Sequence, residues 1–78
     1  MKKIVNIVFY QFFGTADNTK KACIFYDDGT VANVGFEEGI DACEIIVKER
    51  NIRSKDAFRE MINKDLVHVV SGAEFEKN

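Results

Sequence analysis

The side chains of this sequence that could do chemistry are few and widely spaced. His68 is the only histidine, and Cys23 and Cys43 are the only cysteines. A cysteine nucleophile needs a histidine beside it in space, and a metal site needs further His, Cys or carboxylate ligands at suitable spacing. His68 lies in a valine-rich segment with no such ligand at metal-binding spacing. We therefore interpret it as an ordinary strand residue.

The acidic residues offer equally little chemistry. Asp27-Asp28-Gly29-Thr30 has the composition of a metal or phosphate loop. It lacks the further oxygen ligands of a calcium loop and the lysine of a P-loop, so turn formation explains it. Glu37, Glu38, Asp41 and Glu44 suit the solvated face and first turns of a helix better than an acid and base pair. We expect no catalytic residue, no metal and no cofactor, and interpret the protein as not an enzyme.

Two periodicities along the chain predict four strands and two helices. Alternating or continuous apolar runs predict strands, and apolar residues three and four apart predict helices. The expected elements are strands over 3–13, 20–27 and 30–36, helices over 37–50 and 54–64 with Ser54 as the second N-cap, and a strand over 66–70. This βββααβ order predicts an α+β, two-layer domain. We expect an antiparallel four-stranded sheet, ordered 3-2-1-4, with both helices on one face.

The hairpin between the second and third strands predicts which side chains form the core. Asp28-Gly29 favours a tight turn with Gly29 at positive φ. Pairing Tyr26 with Val31 places Cys23, Phe25, Ala32, Val34 and Phe36 on one uniformly apolar face, which should meet the helices. The predicted core comprises Phe25, Val34, Phe36, Ile40, Val47, Phe58 and Met61.

Composition limits the broad class of protein. The chain has 78 residues, 46% of them hydrophobic, and a net charge of −2. We expect a single small domain over residues 1–78, with 73–78 as a flexible tail. The N-terminal apolar run has some features of a signal peptide, but its Ile, Val, Phe and Tyr content favours a strand. With no apolar run long enough to span a membrane and two cysteines that read as free buried thiols, we expect a cytoplasmic protein.

The outer face of the sheet is the best candidate for function. The first strand is apolar on both faces, whereas two helices can cover only one of them. The other face would expose more apolar surface than the roughly 400 Å² that a lone monomer tolerates. We therefore expect a protein-interaction or self-association module, a homo-oligomer or the partner of another protein. The interface candidates are Ile24, Tyr26, Val31, Tyr10 and Phe12.

Charge and aromatic content leave further readings open. Residues 27–44 carry only acidic charges and residues 48–64 a basic excess, an asymmetry that would orient a partner. Tyr10, Phe12 and Tyr26 could instead stack on the bases of single-stranded nucleic acid, although no basic groove accompanies them. The third alternative is an enzyme, either cysteine-dependent or with a site built across a subunit interface.

Overall fold

The computed structural model describes residues 2–11 and 20–71. Its elements are β1 (Ile4–Gln11), β2 (Lys20–Tyr26), β3 (Val31–Gly35), α1 (Phe36–Glu49), α2 (Ala57–Asn63) and β4 (Val67–Ser71). The α+β class, the βββααβ order and the sheet order β3-β2-β1-β4 are confirmed. The predicted interface residue Phe12 and the predicted tail 73–78 lie outside the described residues.

The prediction of a fully antiparallel sheet was wrong, because β4 runs parallel to β1. A short antiparallel helix pair would return the last strand antiparallel to the first. Instead, both helices begin beside Phe9: its ring lies 5.6 Å from that of Phe36 at the start of α1 and 6.2 Å from that of Phe58 in the first turn of α2. After α2, the Ile7 N–H donates to the Leu66 carbonyl at 2.9 Å. The last strand therefore begins at the level of Ile7 and runs in the direction of β1.

The hairpin turn confirms the role of Gly29 but corrects the strand register. Gly29 has φ +87°, and its N–H donates to the Tyr26 carbonyl. The Tyr26 N–H donates to the Thr30 carbonyl at 3.0 Å, so the loop is a three-residue connection with glycine at the left-handed position. Tyr26 therefore lies opposite Thr30, and Phe25, not Tyr26, pairs with Val31. A slip of one residue exchanges the two faces of a strand.

A hydrogen-bonded Asp28 side chain reinforces this turn. The Thr30 hydroxyl donates to the Asp28 carboxylate, and the Thr30 N–H donates to the same oxygen at 2.9 Å. These bonds favour the charged form and lower the pKa of Asp28. The acidic composition of this loop, which is similar to that of a metal loop, therefore stabilises the turn.

The corrected register and a bulge in β1 decide which side chains face the helices. The bulge between Ile4 and Asn6 brings Ile4 to the same face as Ile7 and Phe9. On β2 the helix side is formed by Ala22 and Ile24. Phe25, expected in the core, therefore lies on the outer face of the sheet.

The helix layer has two unlike halves. The first, which we call the closed half, is centred on five side chains that are at most 6% exposed: Ile7, Ile24, Ile46, Met61 and Val67. Met61 confirms a core prediction, and Val34 and Val47 are half-buried against the core. The other expected core residues on the helices were placed wrongly, since Phe36, Ile40 and Phe58 are 37–43% exposed. They line the second half, where the helices leave an opening.

Both helices end in the same backbone motif, which returns the chain to the closed half. After α1, Asn51 has φ +54° and the Ile52 N–H donates to the Val47 carbonyl. After α2, Asp65 has φ +59° and the Leu66 N–H donates to the Met61 carbonyl. These are the bonds of Schellman motifs, in which an apolar residue after the turn packs back on the helix. The predicted end of the first helix at Asn51 is confirmed.

The predicted start of the second helix was too early. Ser54 does not cap it, because α2 begins at Ala57 with Asp56 in the N-cap position. The Ser54 hydroxyl instead accepts a hydrogen bond from the Asp56 N–H at 3.1 Å. A serine that bonds a backbone N–H two residues ahead forms a local turn, which competes with helix formation.

Candidate functional site

The outer face of the sheet forms a shallow hollow, to which all four strands contribute. We call it the outer concavity; it has a volume of about 580 Å³ and is lined by Val8, Cys23, Phe25, Val31, Asn33, His68 and Val70. Val31 is 50% exposed, the largest exposure among the apolar members, and Phe25, Val8 and Val70 are half-buried. None of these lining residues is Lys, Arg, Asp or Glu. The surface is therefore apolar, with Asn33 and His68 as its main polar groups.

Strand pairing explains how these residues come together. Val8 of the central strand β1 pairs with Cys23 on one side and with His68 on the other. Cys23 in turn pairs with Asn33, so one line of paired residues crosses the whole sheet. Paired residues in adjacent strands point to the same face, which places all four side chains on the outer face.

The Tyr10 side chain lies across the outer face of the sheet. It belongs to β1, yet its hydroxyl lies 3.4 Å from the side-chain oxygen of Asn33 on β3. To reach that partner the side chain must cross β2, where Cys23 pairs with Asn33 and is only 1% exposed. Tyr10 itself is 9% exposed. It therefore covers the sheet and helps to orient Asn33.

The predicted interface residues are divided by the sheet. Val31 lies on the outer face and is exposed, and Tyr10 lies on that face but is buried. Ile24 is in the core and Tyr26 packs against the core from the helix side, so the prediction that these two face outward was wrong. Both errors come from the one-residue register slip at the hairpin, because all β2 side chains change face together.

Sequence reasoning missed Phe25 and His68 as members of this surface, whereas it placed Asn33 with Val31 on the outward face. Alternation along β2 and β3 separates the two faces correctly, but only the loop length decides which set faces the helices. The predicted pairing of Tyr26 with Val31 assumes a two-residue loop, whereas a three-residue loop that ends at Gly29 places Phe25 on the outer face of the sheet. His68 was read as an ordinary strand residue, and its membership of the outer concavity follows only from the parallel pairing with Val8.

The arrangement of Cys23 and His68 does not form a nucleophilic pair. Both line the outer concavity, but their strands are separated by β1, a distance of roughly 10 Å between backbones. The His68 Nε2 atom lies 3.2 Å from the Asp65 carbonyl oxygen. Burial raises the pKa of the Cys23 thiol, and it raises the pKa of Cys43 to about 11. Both thiols therefore stay protonated near neutral pH, which opposes nucleophilic attack.

Both cysteines are free and buried, as predicted. Within residues 2–11 and 20–71, no three His, Cys, Asp or Glu side chains are grouped so that they could hold a metal ion. In the same part of the chain, no helix is long and apolar enough to cross a membrane.

The two tyrosines of the predicted stacking platform, which lie among the described residues, are not neighbours. Tyr10 and Tyr26 lie on opposite faces of the sheet, and neither is fully exposed. The Lys2 ammonium lies over the Tyr26 ring, 4.3 Å from its centre, and so covers one face of that ring. Tyr10 and Tyr26 therefore do not provide the two neighbouring exposed rings that base stacking would use.

Comparison with protein-family models, curated proteins and solved structures finds no match for this chain. The functional interpretation therefore depends on the geometry of the molecule alone.

Proposed function

We propose that this protein is a non-enzymatic self-association module, which binds a second copy of itself through the outer concavity. The observation that carries the proposal is an apolar sheet face that no other described element covers, with Val31 half exposed at its edge. Large exposed apolar surfaces typically mark interaction sites.

A second copy suits this surface because none of its described lining residues is Lys, Arg, Asp or Glu. Two molecules of net charge −2 can therefore meet here without placing like charges directly against each other. In a two-fold dimer the same patch faces itself, and the apolar centre around Phe25 and Val31 would bury its counterpart. Asn33 and His68 would supply directional hydrogen bonds at the border of this apolar centre.

The test is an acidic substitution in the outer concavity. We expect wild-type protein to dimerise in sedimentation velocity as its concentration rises. Val31→Asp should weaken the dimer by at least about thirty-fold, since desolvating an unpaired charge costs 2 kcal/mol or more. Ile45→Asp is the matched control, because Ile45 is 47% exposed on α1, away from the sheet. It should leave dimerisation unchanged.

Two results would overturn the proposal. Wild-type protein that stays monomeric at high micromolar concentration would exclude self-association. Equal weakening by Val31→Asp and Ile45→Asp would show that the interface is not the outer concavity. Circular dichroism of both variants establishes that each is folded.

The proposal includes a cytoplasmic location. The free Cys23 and Cys43 thiols support it, because a reducing compartment keeps such thiols from forming disulfides.

A further inference from the structure

The opening in the helix layer is a second apolar site, which lies mainly on the helix side of the sheet and meets the outer concavity at Val70. We call it the helix cleft; its volume is about 440 Å³ and its walls are Phe36 and Ile40 of α1, Phe58 of α2 and Val69 of β4. Phe9, only 5% exposed, forms the floor. The volume falls within the range of small-molecule sites.

The walls of the helix cleft are unusually exposed for such large apolar side chains. Val69 is 63% exposed and Phe58 43% exposed, whereas the closed half is almost completely covered. The Phe36 and Phe58 rings both meet the Phe9 ring at steep angles of 63° and 58°. The three rings thus present apolar surface from the floor and from two sides to the same open cleft.

Among the described residues that line the helix cleft, the two charged ones are both basic. Lys20 and Lys21 lie at its rim, and the Lys20 ammonium is 5.5 Å from the centre of the Phe36 ring. The acidic residues Glu37 and Glu38 belong to the same helical turn as Phe36 but are not among the residues that line the cleft. An occupant should therefore be apolar over most of its length and negatively charged at one end.

We infer that the helix cleft binds a small amphipathic carboxylate, of the class of medium-chain fatty acids. The aliphatic chain would lie against Phe9, Phe36 and Phe58, and the carboxylate would meet Lys20 at the rim. A chain that displaces water from these three rings gains free energy in proportion to the apolar area it covers. The lysine decides which end of the ligand faces solvent.

Titration of the full chain with decanoate tests this inference. We expect saturable binding of one decanoate per chain by calorimetry, with the largest NMR shift changes at the Phe36, Phe58 and Val69 amides. Decylammonium has the same tail with a cationic head and should bind more weakly. Lys20→Glu should weaken decanoate binding about three- to five-fold, the effect expected for an exposed ion pair.

Phe58→Ser and its control separate the cleft from general surface binding. Phe58→Ser should weaken decanoate binding at least about ten-fold, because it removes one of the three rings. Ile45→Ser changes an equally exposed apolar residue that does not line the cleft and should have no effect. Val31→Asp, which tests the outer concavity, should also leave decanoate binding unchanged.

The outcomes that contradict the inference are distinct. Equal affinity for decanoate and decylammonium would exclude recognition by the lysine. A change of oligomeric state in Phe58→Ser would identify the cleft as a contact between copies. Nuclear Overhauser contacts between Phe58 and residues 72–78 in the ligand-free protein would show that the chain fills its own cleft. Absence of saturable decanoate binding would end the proposal.

Discussion

The closed half and the helix cleft are built from the same helices and the same strands, yet the described residues fill only the closed half. In the closed half, Ile46 and Met61 interlock with Ile7 and Val67, and all four are at most 2% exposed. Around the cleft, the Phe36 and Phe58 rings lie at steep angles to the Phe9 ring and keep more than a third of their surface in solvent. Hydrophobic residue type is therefore a poor guide to which half a residue occupies.

The difference follows from where the helices begin and end. Both helices begin beside Phe9, and both end in Schellman motifs that return Ile52 and Leu66 to the core. The returning residues fill the space between the helix ends and the sheet. At the helix starts no described residue makes such a return, and residues 2–11 and 20–71 leave the space between them open. The described part of the chain thus concentrates its burial at one end of the helix layer.

The largest expected effect is a contrast between one alanine substitution in each half. Ile46→Ala should cost about 3–4 kcal/mol of unfolding free energy, because it leaves a cavity among fully buried neighbours. Phe58→Ala should cost less than about 1.5 kcal/mol, although it removes a larger side chain, since much of that ring is already in water. Urea unfolding measures both values. Equal costs would show that the helix cleft is closed in solution.

Much of the fold was predictable from sequence because it depends on local signals. The apolar periodicities, the Gly29 turn and the Asn51 helix end all act within a few residues, and each is confirmed. The direction of β4 was not predictable in this way. It depends on where the short helix α2 ends, and the contacts that fix this place are the Phe58 ring beside Phe9 and the hydrogen bond from the Ile7 N–H to the Leu66 carbonyl.

The candidate site was harder to predict than the fold, for two physical reasons. The outer concavity depends on the register of β2, and one extra residue in a loop reverses every side chain of that strand. The helix cleft depends on an absence of packing, which periodicity cannot reveal. Phe36, Ile40 and Phe58 have the spacing of core residues, and only the position of the helices leaves them exposed.

The next effect concerns the close approach of α1 to the sheet at the border between the two halves. A Cβ atom at Gly39 would lie 2.6 Å from the Ala22 Cβ and 2.7 Å from Phe9 Cε1. We expect Gly39→Ala to cost about 2 kcal/mol, because overpacking exceeds the gain of about 1 kcal/mol in helix propensity. Gly35→Ala is the control, since its new Cβ would meet only the Glu38 side chain at 4.0 Å. Thermal unfolding that ranks the two variants equally would contradict this close contact.

The hairpin turn sets the register of β2 and therefore which of its side chains pack in the closed half. A substitution in the turn can weaken it without changing a contact in either half. Gly29 has φ +87° with open space around it, so a substitution there acts through backbone strain alone. Gly29→Val should cost about 1–2 kcal/mol. Asparagine tolerates positive φ better, and Gly29→Asn should cost less than half as much. A neutral Gly29→Val, measured by urea unfolding, would argue against this turn and therefore against the register.

The smallest expected effect is a gain of stability at the turn that completes the closed half. Asp65 occupies the left-handed region with φ +59°. This conformation is unfavourable for a residue that has a Cβ atom, whereas glycine adopts it freely. Glycine is the preferred residue at this position of a Schellman motif. Asp65→Gly should therefore raise the unfolding free energy by up to about 1 kcal/mol, partly offset by the greater freedom of glycine in the unfolded chain. Asp65→Ala, which keeps the Cβ, serves as the control and should not stabilise. If both variants lower the stability equally, the Asp65 side chain stabilises this turn, and backbone strain at residue 65 does not lower the unfolding free energy.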